Sequence, residues 1–494
     1  MRELRYTASV DYNILLSAFE RSQDAAGWPR QRVIHACLRA AIVSGQLGAG
    51  SRLLATRALA DELGVARNTV LYAYEQLATE GLIRGTPRGS LVMAIAPAEM
   101  APPKGAPRNS DVARRVQGLR TLPASGPEAG AFVPGVPALD LFPAKPWRRL
   151  LDQVWRDIDP AQLNYPDVAG LPALREGIRH YLMASRGVRC SADQVFVTSG
   201  TQASLEICAR TFADAGATAW IENPGYIGAL AAFRSAQLRT IGIGVDAEGI
   251  RPSSQDWKLH PPKLVYTTPS HQYPTGGVLC MARRLALIEQ AGAAGALIIE
   301  DDYDSEFRYD GPPMAAMQGL VEDAPVIYVG TFSKTMFPAI RTGFMIVPKN
   351  LVAPLRLVLA RASPHGRTTD QMALASFLEG GQFGVHLRRM RRVYRGRRDV
   401  LANALRTHLA QFGHVHGDTA GMHMALQFAP GGPPDTGIAS AALEQGVVVR
   451  ALSAHSTGLR EHGWNGLMFG FSQVAETEIE TMVERLARVM AAGA

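Results

Sequence analysis

The sequence predicts a multidomain protein: a small helical unit closed by a hairpin, a linker, an α/β domain with a mainly parallel sheet, and a smaller C-terminal α+β subdomain. Three observations predict it. At 494 residues the chain is too long for one ordinary core. Between residues 94 and 137 the composition turns to Pro, Ala and Gly, with few large apolar residues before Phe132. Beyond that stretch, short apolar runs alternate with helical ones, the pattern of a parallel sheet wrapped by helices.

The elements follow in chain order. Residues 1–27 read as an N-terminal extension and 28–93 as the first folded unit. Ile34, Leu38, Ala41 and Ile42 recur at helical spacing until Gly45 and Gly48 stop the helix. A second helix fits Thr56–Leu63, turned by Gly64, and a third fits Arg67–Glu80 with Val70, Tyr74 and Leu77 on one face. Leu82–Val92 reads as two short strands around Thr86–Gly89. Residues 94–137 are the linker, 138–370 the large α/β domain and 371–494 the small subdomain. Strand candidates in the large domain are Gln194–Thr198, Thr218–Glu222, Leu264–Thr267, Ala296–Glu300 and Val326–Gly330. No internal repeat is visible.

Bulk properties exclude several classes. A 47% hydrophobic and 19% charged composition is ordinary for a globular protein and excludes widespread disorder. Four scattered cysteines without CxxC spacing suggest neither a zinc site nor a disulfide framework, and fit a reducing compartment. The N-terminus lacks the apolar run of a signal peptide. The best apolar stretch, Ala291–Ile299, is about half the roughly 18 residues a span requires. The expectation is a cytoplasmic chain without membrane contact.

The net charge of +7 is compatible with a polyanionic partner. Residues 28–92 hold eight Arg against four Asp or Glu. Leu59–Val70 supplies a helix, a Gly turn and the start of a second helix. Arg67, Asn68 and Thr69 stand at that helix's N-terminus, the end that meets phosphates and base edges in a double-stranded DNA operator. Arg84 and Arg88 bracket the hairpin, and Arg57 opens the preceding helix. Periodicity alone leaves open a structural helical domain with a solvated basic face.

A second constellation lies in the α/β domain. Lys334 follows one strand candidate, Asp301 ends another, and Ser199-Gly200-Thr201-Gln202 occupies a strand-to-helix junction suited to an anion. Arg341 adds a fixed positive charge. A lysine for a Schiff base, a carboxylate for a pyridine nitrogen and donors for a phosphate are what pyridoxal 5′-phosphate (PLP) requires. Each piece alone is weak. Ser-Lys after a strand is usually a surface lysine, and Glu300-Asp301-Asp302-Tyr303-Asp304 would also suit a solvated acidic loop or a hard-metal site. No metal is expected.

The stretches RAAIVSGQLGAGSRL and TRALADELGVARNTVLYAYEQLATEGLI resemble the winged helix-turn-helix of GntR regulators. Ala66 stands where that family's serine caps the recognition helix, and Pro87-Arg88-Gly89-Ser90 departs from the usual wing motif. Residues 131–494 resemble the fold-type-I PLP-dependent aminotransferase domain. Supporting stretches include Asn164–Arg175, Asn223-Pro-Gly-Tyr226, Thr268–Gly276 and the Lys334 run. Together they resemble the MocR/GabR-type subfamily of GntR transcriptional regulators.

The resemblance implies that Lys334 forms the Schiff base, Asp301 pairs with the pyridine nitrogen, Tyr303 bonds the phenolic oxygen and Tyr226 stacks on the ring. Gly200, Thr201, Thr331, Ser333 and Arg341 surround the phosphate. The aminotransferase Asn-Pro-Thr-Gly motif reads Tyr273-Pro274-Thr275-Gly276 here, so His271 or Gln272 is expected to replace its asparagine. The resemblance also implies a homodimer. The effector is an amine, an amino acid or PLP itself. Arg450 is the candidate for an effector carboxylate, with a surface or interface arginine as the alternative. Gly228 stands where some relatives carry another arginine. The aminotransferase-like domain is expected to sense rather than turn over, with residual half-transamination allowed. The rival is an active aminotransferase with an appended DNA-binding domain. Seven arginines between His386 and Asp399 suggest a solvated or salt-bridged helix, or a docking face.

Overall fold

The computed structural model describes residues 10–22, 25, 27–87, 89–94, 113, 132–311, 314–362, 367–457 and 463–493. The chain divides into two compact units, Met1–Asp111 and Val112–Ala494. Arg88 and nearly all of the stretch read as linker lie outside the described residues.

The first unit contains α1 (Tyr12–Ser22), α2 (Arg30–Val43), α3 (Thr56–Leu63), α4 (Arg67–Thr79), β1 (Ile83–Thr86) and β2 (Gly89–Val92). Val33, Ile34, Cys37, Leu38, Ala41 and Ile42 form the buried face of α2, the helical stripe its periodicity implied. They pack with Leu59 of α3 and Val70, Ala73, Tyr74 and Leu77 of α4. Gly64 ends α3 in the left-handed conformation. The hairpin pairs Ile83 with Val92 and Thr86 with Gly89. The N-terminal extension holds an element the sequence reading omitted: α1 buries Tyr12 and Leu16 in this core. The Tyr12 backbone N–H donates to Glu62 Oε1 (3.0 Å), and Asn13 Nδ2 donates to the Glu62 carbonyl (2.8 Å).

The second unit is built on an eight-stranded sheet of β3 (Val195–Thr198), β4 (Thr218–Asn223), β5 (Arg239–Asp246), β6 (Gly249–Ile250), β7 (Leu264–Thr267), β8 (Leu297–Asp302), β9 (Val326–Thr331) and β10 (Gly343–Ile346). Their order is β3-β10-β9-β8-β7-β4-β5-β6. β5, β4, β7, β8 and β9 run parallel, while β10 lies antiparallel to both its neighbours and β6 antiparallel to β5. Around the sheet lie α5 (Ala144–Asp157), α6 (Pro172–Arg186), α7 (Thr201–Phe212), α8 (Ile227–Ser235), α9 (Ser254–Leu259), α10 (Met281–Ala294), α11 (Val352–Ala362) and α12 (Thr368–Glu379). Along β9, Ile327 and Val329 enter one core layer while Val326 and Tyr328 face the other side. Burial on both faces explains why these strands read as unbroken apolar runs.

The long α13 (Gln382–His408) leads to a four-stranded antiparallel sheet, β11 (Gly413–His416), β12 (His423–Phe428), β14 (Gly466–Gly470) and β13 (Arg450–Ala451) in spatial order. Packed with it are α14 (Asp435–Glu444) and α15 (Glu476–Gly493). No helix among the described residues is long and apolar enough to cross a membrane.

Residues 132–137, read as linker, pack into this unit. Phe132 is fully buried against Phe469 with ring centroids 5.6 Å apart, and its carbonyl accepts from the Gly470 N–H. Ser472 Oγ donates to the Val136 carbonyl (2.5 Å). The Pro/Gly composition that suggested a linker here serves a strap laid along a strand.

Candidate functional site

The first unit presents its cations outward. Arg57, Arg67, Asn68 and Arg84 are exposed, and Thr69 is half-buried at the start of α4. Glu80 pairs with His35 and Arg39, and Glu20 with Arg30. Arg57, Arg67 and Arg84 have no ion-pair partner among the described residues. Ala66 at the cap of α4 has no side-chain hydrogen bond to offer, so the first N–H groups of that helix are left for an external acceptor. Exposed cations at an uncapped helix N-terminus favour polyanion binding.

In the second unit a cavity of about 420 Å³ opens at the carboxyl ends of the parallel strands. It is lined by Gly200, Thr201, Tyr226, Asp301, Tyr303, Thr331, Ser333, Lys334 and Arg341, nine of the ten expected cofactor residues. Strand ends deliver them from widely separated positions: Gly200 and Thr201 after β3, Asp301 on β8, Thr331 at the end of β9.

Lys334 Nζ donates to the Gly135 carbonyl (2.6 Å), so the strap forms one wall. Burial pulls the lysine's pKa down, against the opposing pull of Asp304 and Asp301. Asp301 Oδ2 accepts from Tyr266 OH (2.7 Å), while Oδ1 is buried without a partner. Burial pushes the Asp301 carboxyl up to about 7. A buried unpartnered carboxylate oxygen is costly unless a donor arrives, and a protonated pyridine nitrogen is such a donor.

Gly200 precedes α7 with φ of 101°, a conformation that favours glycine, and turns the first N–H groups of the helix toward the cavity. Arg341, exposed beside it, has no ion-pair partner among the described residues. Tyr226 leans over the cavity against Tyr273, centroids 5.7 Å apart. Its ring lies so close to Gly228 that a Cβ there would approach Tyr226 Cζ to 2.4 Å. An arginine at 228 would displace the ring. These residues fit PLP: a lysine, an orphaned carboxylate oxygen, an aromatic face and an anion cradle.

His271 does not line the cavity; it lies behind Tyr303. Its Nδ1 is 3.0 Å from Asp304 Oδ2 and 3.2 Å from Tyr303 OH, and its carbonyl accepts from that hydroxyl (2.9 Å). The direct contact with the cofactor expected of it is therefore not what this geometry offers. Gln272 is likewise committed, bonding Glu222 and the Pro224 carbonyl. His271, Asp304 and His423 place ligand-type atoms within 4.8 Å of one another, with His271 and Asp304 already hydrogen-bonded.

Residues 30–92 match the family model described as bacterial regulatory proteins, gntR family, and residues 143–486 match aminotransferase class I and II. The probable rhizopine catabolism regulatory protein MocR of Rhizobium meliloti is 39% identical over 81% of this chain and 82% of its own length. The chain belongs to the MocR-type GntR transcriptional regulators. The pyridoxine biosynthesis regulator PdxR of Corynebacterium glutamicum is 31% identical over 92% of this chain and 95% of its own. Among solved structures, Pyrococcus horikoshii kynurenine aminotransferase in complex with PMP superposes with a TM-score of 0.67 at 27% identity, covering 73% of this chain and 90% of that one.

Three further expectations for this MocR-type regulator meet the structure. Arg450 on β13 is half-buried and not part of the cavity lining, although its charge reaches Tyr273 in the wall. The arginine face of α13 is largely internal bracing. Arg391 donates to the Glu306 carbonyl, Arg395 to that of Tyr309, and Arg398 to that of Asp418. The acidic run at 300–304 is no solvated loop. Glu300 accepts from the N–H groups of Met317 and Gln318, and Asp302 accepts from Arg186 and Tyr328.

Sequence reasoning missed Gly135, Tyr266, Asp304 and His423. Gly135 was hidden by its linker-like surroundings. Tyr266 carried a signal, a phenol hydroxyl within the apolar run of β7.

Proposed function

We propose that the GntR-type unit binds operator DNA through Arg57, Arg67, Asn68, Thr69 and Arg84, and that the aminotransferase-like domain senses an amine, an amino acid or PLP rather than turning over substrate. One observation carries the sensing reading. Among the described residues the only arginine or lysine side chains lining the cavity are Lys334 and Arg341, both needed by the cofactor. An aminotransferase must also hold its substrate's carboxylate, and a second guanidinium is the usual means.

Lys334, Asp301, Tyr226, Tyr303, Gly200, Thr201, Thr331, Ser333 and Arg341 would hold PLP. When bound, the cofactor supplies an electrophilic carbon that can exchange the lysine for an incoming amine. Lys334 is suited to that exchange because its lowered pKa favours the neutral, nucleophilic amine. Asp301 would keep the ring nitrogen protonated, and the strap at Gly135 would receive the lysine's N–H when it is released. We further infer a homodimer, which lets two winged helices read paired half-sites. Exposed Leu163 (62%) and Tyr165 (92%) offer an apolar surface for a second copy.

The test is operator binding by the apo, PLP-loaded and PLP-plus-amine forms, for wild type and Lys334→Ala. A coupling of about 1–3 kcal/mol between ligand and DNA is expected. Identical affinities and footprints throughout, together with steady turnover of an amino acid and a keto acid, would establish the active-aminotransferase reading instead.

A further inference from the structure

We propose that His271, oriented by Asp304, is a positioning residue that acts on the cofactor through Tyr303 without touching it. The inference rests on the reading above, in which PLP is carried on Lys334 with Tyr303 at its phenolic oxygen.

Four hydrogen-bonding contacts carry it. Asp304 Oδ2 accepts from the Met422 N–H (3.0 Å) and faces His271 Nδ1 (3.0 Å). An ionised carboxylate only accepts, so the Nδ1 facing it carries the proton. The same Nδ1 lies 3.2 Å from the Tyr303 oxygen, whose own proton points to the His271 carbonyl (2.9 Å). Tyr303 is therefore held twice by one residue: it accepts the longer branch of the single Nδ1–H that Asp304 shares, and it donates to the backbone carbonyl. When the phenol turns its proton toward a cofactor oxygen, the carbonyl contact is given up and the ring N–H stays. A phenol oxygen that accepts a hydrogen bond is a stronger donor through its own O–H, because the two bonds polarise one another.

The ring of His271 is held in place. It is 1% exposed, and a Cβ on Gly421 would lie 2.0 Å from it, so the backbone at Gly421 closes directly over the imidazole. On another side the His423 ring stands 4.4 Å away, centroid to centroid. His423 is itself pushed strongly toward its neutral form by burial, then by His271 and His455. The groups acting on Tyr303 are Asp304, Tyr273, Asp301 and Glu222; after burial, they raise its pKa further, so the phenol keeps its proton and remains a donor.

The experiment is a spectral pH titration of PLP-loaded protein for wild type, His271→Ala, His271→Asn, Asp304→Asn, Tyr303→Phe and His271→Ala combined with Tyr303→Phe. A donor on the phenolic oxygen competes with the internal hydrogen bond that keeps the lysine-linked nitrogen protonated. Tyr303→Phe and His271→Ala are both expected to raise the midpoint, by on the order of tenfold in proton affinity. His271→Asn, whose amide N–H can stand near the position of Nδ1, is expected to return the midpoint to that of the wild type. The double variant is expected to shift no further than Tyr303→Phe. Asp304→Asn, which preserves volume, also removes a charge that raises the proton affinity at Lys334, so it is compared with Asp304→Asn combined with Tyr303→Phe. These two are expected to differ by less than wild type and Tyr303→Phe do, and the comparison serves if His271→Ala does not fold. Additive shifts would overturn the proposal in favour of direct contact between His271 and the cofactor. An unchanged midpoint in His271→Ala, or the full Tyr303→Phe shift persisting in the Asp304→Asn background, would overturn it in favour of a purely structural role. Absence of any visible band in the wild type would overturn the cofactor reading itself, and this proposal with it.

Discussion

The two functional regions of this protein differ in where each keeps its chemistry, one on its own exterior and the other in its own interior. The DNA-binding unit keeps a plain apolar core of Leu38, Leu59, Val70 and Leu77 and carries Arg57, Arg67 and Arg84 outside it. The cofactor cavity is lined largely by groups that are themselves part of the interior, with Asp301 and Asp304 nearly inaccessible. A reading face can thus change with little effect on folding, whereas the cavity's residues carry function and stability together. Buried polar groups are costly when unpaired, so the cavity also depends on its ligand in a way the winged helix does not.

The largest expected effect lies on the cavity side. Lys334→Ala should abolish the visible absorbance of the loaded protein and the covalent label left by borohydride. A label found on another lysine would break the site assignment. On the DNA side, Arg67→Ala should cost on the order of 1–3 kcal/mol of operator affinity, more on the cognate site than on random DNA, with an unchanged unfolding midpoint. Arg57→Ala should weaken binding to all sequences and lower the salt slope by about 1. If either arginine variant unfolds the unit, the separation of face from core fails.

The pH dependence of stability sharpens the contrast. Burial pushes Glu300, Asp301 and Glu306 up to about 7. A carboxyl with a raised folded-state pKa binds its proton more tightly folded than unfolded. Its contribution is therefore present at low pH and is lost as pH rises from about 4, the unfolded value, through about 7. The apo second unit should accordingly lose thermal stability over that window. Asp301→Asn should flatten the loss, and PLP should flatten it too, because a pyridinium partner favours the charged carboxylate. A first unit equally sensitive to pH would erase the distinction. The smallest effect is Ala66→Ser, which should stabilise the first unit by about 0.5–2 kcal/mol by capping α4, measured as a rise in its unfolding midpoint.

Local pattern determined much of this protein. Helical periodicity placed α2, α3 and α4, and the turn at Gly64 with Arg67 behind it marked the face proposed to read DNA. Apolar runs marked β3, β4, β7, β8 and β9, and the residues at their ends marked the cavity, because a parallel sheet gathers its carboxyl ends on one edge. Other features depended on partners distant in sequence. β10 is only four residues long and earns its place through pairing with β3 and β9. Residues 132–137 and α1 have compositions that suit a linker or a tail, and only the surfaces they meet, around Phe469 and Glu62, make them structure. The path from Asp304 through His271 to Tyr303 joins residues up to 33 apart in the chain. A hydrogen bond's geometry is set by where the backbone carries each group, and no single sequence stretch contains that information.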